Sequence, residues 1–126
     1  MNSVPRLEVP SRMSSMNVRL IVDSNPFNAI LDYVYDVDGI LPVAIWIKTK
    51  KSESTLDREL RSSSKAVSLL LQYGCSLKEI SETFTRDSII GSVVWYIHKN
   101  IEDILSGIQP DKTPNLSTQP IGYTIK

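Results

Sequence analysis

The apolar residues of this chain change their spacing once, near residue 50, and that change limits the possible folds more than any other feature. From Met16 to Lys48 they recur at every second position, and from Thr55 to Ile108 at every third or fourth. Strand side chains alternate between two faces, whereas helix side chains return to one face after three or four residues. Strands gathered first and helices second point to an α+β fold with an antiparallel sheet.

Within the first stretch, Val18, Leu20 and Val22 alternate with Asn17, Arg19 and Ile21, which predicts a strand with one inward face. Ser24-Asn25-Pro26 supplies turn residues, and Ala29 to Tyr35 makes a second strand with Ala29, Leu31, Tyr33 and Tyr35 on one side. Asp38-Gly39 is the strongest turn dipeptide in the chain. After it, Val43, Ile45 and Ile47 alternate with Ala44, Trp46 and Lys48. The expectation is a three-stranded antiparallel meander, with Pro42 marking an edge or the first residue of its strand.

The second stretch predicts three helices. The first is capped by Ser54 or Thr55 and carries Asp57 in its first turn, where negative charge suits the helix dipole. Leu56, Leu60, Ser63, Val67, Leu70 and Leu71, widened by Ala66, form its expected core stripe. Gly74 stops it, since glycine takes the left-handed C′ conformation without steric cost. Ser76-Leu77-Lys78-Glu79 is a capping box opening a short second helix lined by Leu77, Ile80 and Phe84. The third helix, from about Ser88, repeats Ile90, Val93, Val94, Ile97, Ile101, Ile104, Leu105 and Ile108. Its β-branched residues are modest helix formers, so packing must hold it. Gly107, Pro110, Pro114 and Pro120 end the helical region.

These elements organise the chain as a proline-spaced, flexible arm over residues 1–15, one α+β domain over 16–108 and a proline-containing tail over 109–126. Ile121, Tyr123 and Ile125 alternate in the tail, enough for a short strand that docks on a sheet edge or on a partner. The extended arms and the long third helix together lead to an expectation of self-association, as a dimer or larger oligomer.

Charge narrows the function classes. Fourteen basic residues balance fourteen acidic ones, so no overall field favours a nucleic-acid polymer or an anionic membrane. The single cysteine excludes an intrachain disulfide and a cysteine-based zinc cluster. No apolar run approaches the roughly 18 residues of a membrane span, and no signal core opens the sequence, so a cytoplasmic protein is expected.

Catalytic chemistry finds no constellation here, and the chain reads as a non-enzyme. Cys75 sits between a helix stop and a capping box, where a small buried residue belongs, and His98 is the only histidine to serve it as a base. Asp32, Asp36 and Asp38 lie on a strand and its turn, without the further oxygens at fixed offsets that a calcium loop needs. The five glycines form no phosphate loop, and no cofactor is implied.

Two basic features remain. Lys48, Lys50 and Lys51 precede the first helix, and Arg58, Arg61 and Lys65 recur along it, either as an anion-binding surface or as a solvated face with an Asp57–Arg61 ion pair. Arg86 and Asp87 precede the third helix, whose free N–H groups favour anions, unless Asp87 or Ser88 is simply the cap. Tyr96 or Trp46 supplies an aromatic face for a base.

The order of Asp38-Gly39, Leu71-Gln72-Tyr73-Gly74, Arg86-Asp87 and Gly91 resembles small stand-alone TSCPD-domain proteins of bacteria and phages. The run from Leu71 through Ile97 is also similar to the C-terminal helical segment of adenosylcobalamin-dependent ribonucleotide reductases. The Thr-Ser-Cys-Pro-Asp string that names the family is absent, and one cysteine cannot supply a radical thiol plus a reducing pair. The resemblance therefore implies a fold and a nucleotide-related role, without reductase activity. The expected function is binding of a phosphorylated nucleotide or nucleotide-derived signal, with Arg86, Asp87, Lys48, Arg58, Arg61, Lys65 and Tyr96 as ligand contacts. The alternative is a structural or accessory protein acting through its arms and third helix.

Overall fold

The computed structural model describes residues 13–37, 39–50, 54–84 and 87–118. Three strands come first, β1 (Ser14–Val22), β2 (Asn25–Asp36) and β3 (Gly39–Thr49), followed by α1 (Thr55–Gln72), α2 (Leu77–Thr83) and α3 (Ile89–Leu105). A two-residue strand, β4 (Asn115–Leu116), closes the described chain. The fold is α+β as expected, but the sheet is mixed and four-stranded, in the order β3-β2-β1-β4. The meander accounts for three strands, and β4 adds in parallel to β1 by pairing Asn115 with Ile21. The alternating residues Ile121, Tyr123 and Ile125, expected to supply a docking strand, lie outside the described residues.

The first hairpin turns in two residues. Asp23 and Ser24 have φ of 49° and 70°, and Val22 pairs with Asn25, the geometry that matches the right-handed twist of the flanking strands. The first turn thus comes earlier than the expected Ser24-Asn25-Pro26, and Pro26 pairs with Ile21 inside β2. The second hairpin closes on Asp36 and Gly39, with Gly39 at φ 122°. Along β3 the register slips at Asp32/Tyr33, so Asp32 faces Ala44 while Tyr33 faces Pro42. Proline cannot donate to a ladder, and it sits here at a bulge on an edge strand.

The inward residues of the three long strands and of all three helices form one apolar cluster, with Leu20, Leu31, Ile45, Val67, Ile80, Val93 and Ile97 almost wholly enclosed. Helix ends follow local rules. Ser54 caps α1 by accepting from Asp57 N, and Ser76 and Glu79 complete the capping box of α2. Gly74, at φ 99°, ends α1 in a Schellman turn in which Cys75 N donates to Leu70 O and Gly74 N to Leu71 O.

The face that α1 buries differs from the stripe its spacing predicts. The residues that α1 buries are Asp57, Leu60, Ser64, Val67, Ser68 and Leu71, while Leu56 and Ala66 are exposed. The reason is that α1 lies along the open edge of β3, whose outward backbone groups need partners. Ile47 N donates to Ser64 Oγ at 3.2 Å, Ile45 N donates to Ser68 Oγ at 3.1 Å, and Ser68 Oγ donates back to Ile45 O at 3.2 Å. Gln72 Nε2 continues the row by donating to Val43 O at 3.0 Å. Residues 64, 68 and 72 recur every helical turn and match every second residue of the strand, so the helix stands in for a missing neighbour strand.

A further departure lies in α3, which bends at Asn100 (φ −121°, ψ 18°). Asn100 Nδ2 donates to Tyr96 O at 2.9 Å, so a side chain occupies a carbonyl of the helical ladder.

Candidate functional site

Where α1 wraps the edge of β3, a cleft of about 410 Å³ is lined by Trp46, Lys48 and Thr49 from the strand and by Asp57, Arg61 and Lys65 from the helix. Strand alternation sends Trp46 and Lys48 to the same side, opposite the enclosed Ile45 and Ile47. Helical spacing places Asp57, Arg61 and Lys65 one turn apart on one flank of α1. The seat of α1 on β3 brings the two rows together, through the Ser64 and Ser68 bonds described above.

Among the described residues, three cations and one carboxylate line this cleft, and the carboxylate is already engaged. Asp57 is buried, its Oδ2 lies 2.8 Å from Arg61 Nη2, and its Oδ1 accepts from Thr49 Oγ1 at 3.2 Å. The Asp57–Arg61 pair expected for a solvated face is therefore present, and among the described residues it leaves only Lys48 and Lys65 as unopposed charges of the cleft. It holds the guanidinium against the helix while Lys48 and Lys65, both exposed, face solvent. Lys48 and Lys65 are flexible point charges suited to phosphate, and Trp46, half-buried, offers a flat apolar surface between strand and helix.

Other expected contacts fall elsewhere. Arg58 is exposed on the first turns of α1 and lines neither this cleft nor the one beside β1. Arg86 lies outside the described residues. Asp87 is exposed, and the cap of α3 is Ser88, which accepts from Gly91 N at 3.0 Å.

Tyr96 lies on α3 against β1, two strands away from β3, in a second cleft of about 260 Å³ with Asn17, Arg19, Asn100 and Asp103. Burial, with Asp103 nearby, raises the pKa of its hydroxyl above the usual value. A single arginine opposed by Asp103 gives that cleft no excess positive charge for an anion. The aromatic residue that meets the basic cluster is therefore Trp46 rather than Tyr96.

Thr49 is the lining residue that sequence reasoning missed. Its signal was its place at the last strand position before the Ser54 cap, where a hydroxyl can reach the first turn of the helix.

Among the described residues, no group of three or more His, Cys, Asp or Glu side chains is placed to hold a metal, and no helix is long and apolar enough to cross a membrane. Compared with known proteins, the chain matches no family model, no curated protein and no solved structure.

Proposed function

We propose that this chain is a non-catalytic, TSCPD-like binding domain that holds a phosphorylated nucleotide, or a signal derived from one, in the cleft between β3 and α1. The observation that carries this reading is the convergence of Trp46, Lys48 and Lys65 on one cleft, where Arg61 offsets the charge of Asp57 and the two lysine charges are left in excess. Lys48 and Lys65 hold the phosphate, Arg61 offsets Asp57 beside them, and the Trp46 ring stacks on the base. A volume of about 410 Å³ lies near the lower end of small-molecule sites. The sequence resemblance to TSCPD proteins points to the same ligand class.

Thermal unfolding with a panel of linear and cyclic nucleotides tests this. A ligand at one hundred times its Kd that binds only the folded state adds about 2.7 kcal/mol of stability. The melting temperature should rise with a phosphorylated member of the panel, and Lys48→Ala combined with Lys65→Ala should abolish the rise. Absence of any shift across the panel counts against the reading. A shift lost only in Arg86→Ala would move the site to the start of α3.

The accessory-protein alternative leaned partly on the third helix as a contact surface. Ile90, Val93, Val94 and Ile97 are instead buried in this chain's own core, with Ile101, Ile104 and Leu105 packed against it. That leaves the arms as the support for the alternative, and residues 1–12 and 119–126 lie outside the described residues.

A further inference from the structure

The hairpin joining β2 to β3 ends in apolar side chains that no described residue covers: Tyr35 is 73% exposed and Val37 95% exposed. Turn residues are ordinarily polar, because the tip of a hairpin faces water. Asp36 lies between them and accepts from Val37 N at 2.8 Å, which ties its carboxylate to the tip. The ring of Tyr35 meets that of Tyr33 edge-on, with centroids 5.9 Å apart, so its position is set before any partner arrives.

At the same end of the molecule lies a largely apolar groove of about 360 Å³. Pro42, Leu71, Leu77 and Ile101 line it, and Lys78 and His98 stand beside them. The tip is apolar and acidic; the groove is apolar with basic side chains. The tip cannot enter its own groove, because Tyr35 pairs with Ile40 and Ile40 is itself part of the groove wall.

We infer that a second copy of this chain docks here, with each hairpin tip seated in the other copy's groove. Projection and groove share one end of the molecule, so a single twofold axis satisfies both at once and closes the assembly as a dimer. Asp36 of each tip meets the Lys78 and His98 side of the opposite groove, which fixes the register, and Val37 and Tyr35 supply the desolvated centre. The surface is separate from the ligand cleft, which uses Trp46 to Thr49 at the other end of β3.

Sedimentation equilibrium of the full chain over rising concentration tests the inference. The wild type should show a monomer–dimer equilibrium, and Val37→Asp should raise the dimer Kd at least about tenfold. Circular dichroism of Val37→Asp should be unchanged, because Val37 contributes nothing to the core. Asp36→Lys and Lys78→Glu should each weaken the dimer, and the two together should restore it. A wild type that stays monomeric near millimolar concentration overturns the inference, as does an oligomer that Val37→Asp leaves intact. Failure of the charge swap to restore association also overturns it.

Discussion

Ser68→Ala isolates the contact by which α1 seals the edge of β3. Ser68 is 3% exposed, and its hydroxyl exchanges two hydrogen bonds with the backbone of Ile45, itself fully enclosed. Alanine removes both bonds and leaves a buried N–H and a buried C=O without partners, at a cost of about 1–2 kcal/mol each. The expected loss is roughly 2–4 kcal/mol in total, or about 10 °C in melting temperature for a chain of this length. Equilibrium urea unfolding checks it, with an unchanged m-value showing that the denatured state is unaltered. Ser64→Ala removes only the bond from Ile47 N and should cost about 1–2 kcal/mol. Ser62, exposed on the same helix, is the control and should change stability by less than about 0.5 kcal/mol on substitution by alanine. If Ser68→Ala unfolds like the Ser62 control, the idea that hydroxyls complete this sheet edge is wrong.

Three further outcomes follow from local geometry. Gly74→Ala forces a side chain into φ 99° and should destabilise by about 1 kcal/mol in thermal unfolding, although no atom lies within 4 Å of the added Cβ. The Asp23 carboxylate accepts from the Thr118 hydroxyl and N–H, which holds its pKa below the ordinary 3.8. A depressed pKa stabilises the docked tail above the ordinary value and loses that contribution as pH falls through the lowered one. Protection of the Thr118 amide, taken as intrinsic over observed exchange rate, should therefore hold at about pH 5 and fall only below 3.8, and Asp23→Asn should remove this pH dependence. Asn100→Leu frees the Tyr96 carbonyl from its side-chain donor and should regularise α3, seen as backbone carbon shifts at residues 96–101 moving toward helical values.

Much of the fold was legible because its signals are local. Period-two alternation marked β1 to β3, and Gly74, Ser76 and Glu79 marked the break between α1 and α2 through rules that need only neighbouring residues. What escaped depends on partners distant in sequence. Ser64 and Ser68 look like surface residues until an unpaired strand edge lies beside them, and the helical spacing that sets Leu56 and Ala66 in the core stripe does not see that edge. β4 arises from two residues that pair with Ile21 and Val22 more than ninety positions away, a match that local periodicity does not encode. The basic residues of the cleft were visible as a repeat at Arg61 and Lys65, whereas the choice between Trp46 and Tyr96 followed from strand order. β3 and β1 are separated by β2, so only Trp46 shares the edge that α1 covers.

Nitrogen–proton correlation spectra of the labelled chain, titrated with nucleoside monophosphates and cyclic dinucleotides, bear most directly on ligand binding in the β3–α1 cleft. Binding there shifts the Trp46 indole N–H together with the amides of Lys48, Thr49 and Lys65, and leaves Tyr96 and Asn100 unmoved. Spectra that do not change with any phosphorylated ligand, or that change around Tyr96 instead, would contradict it.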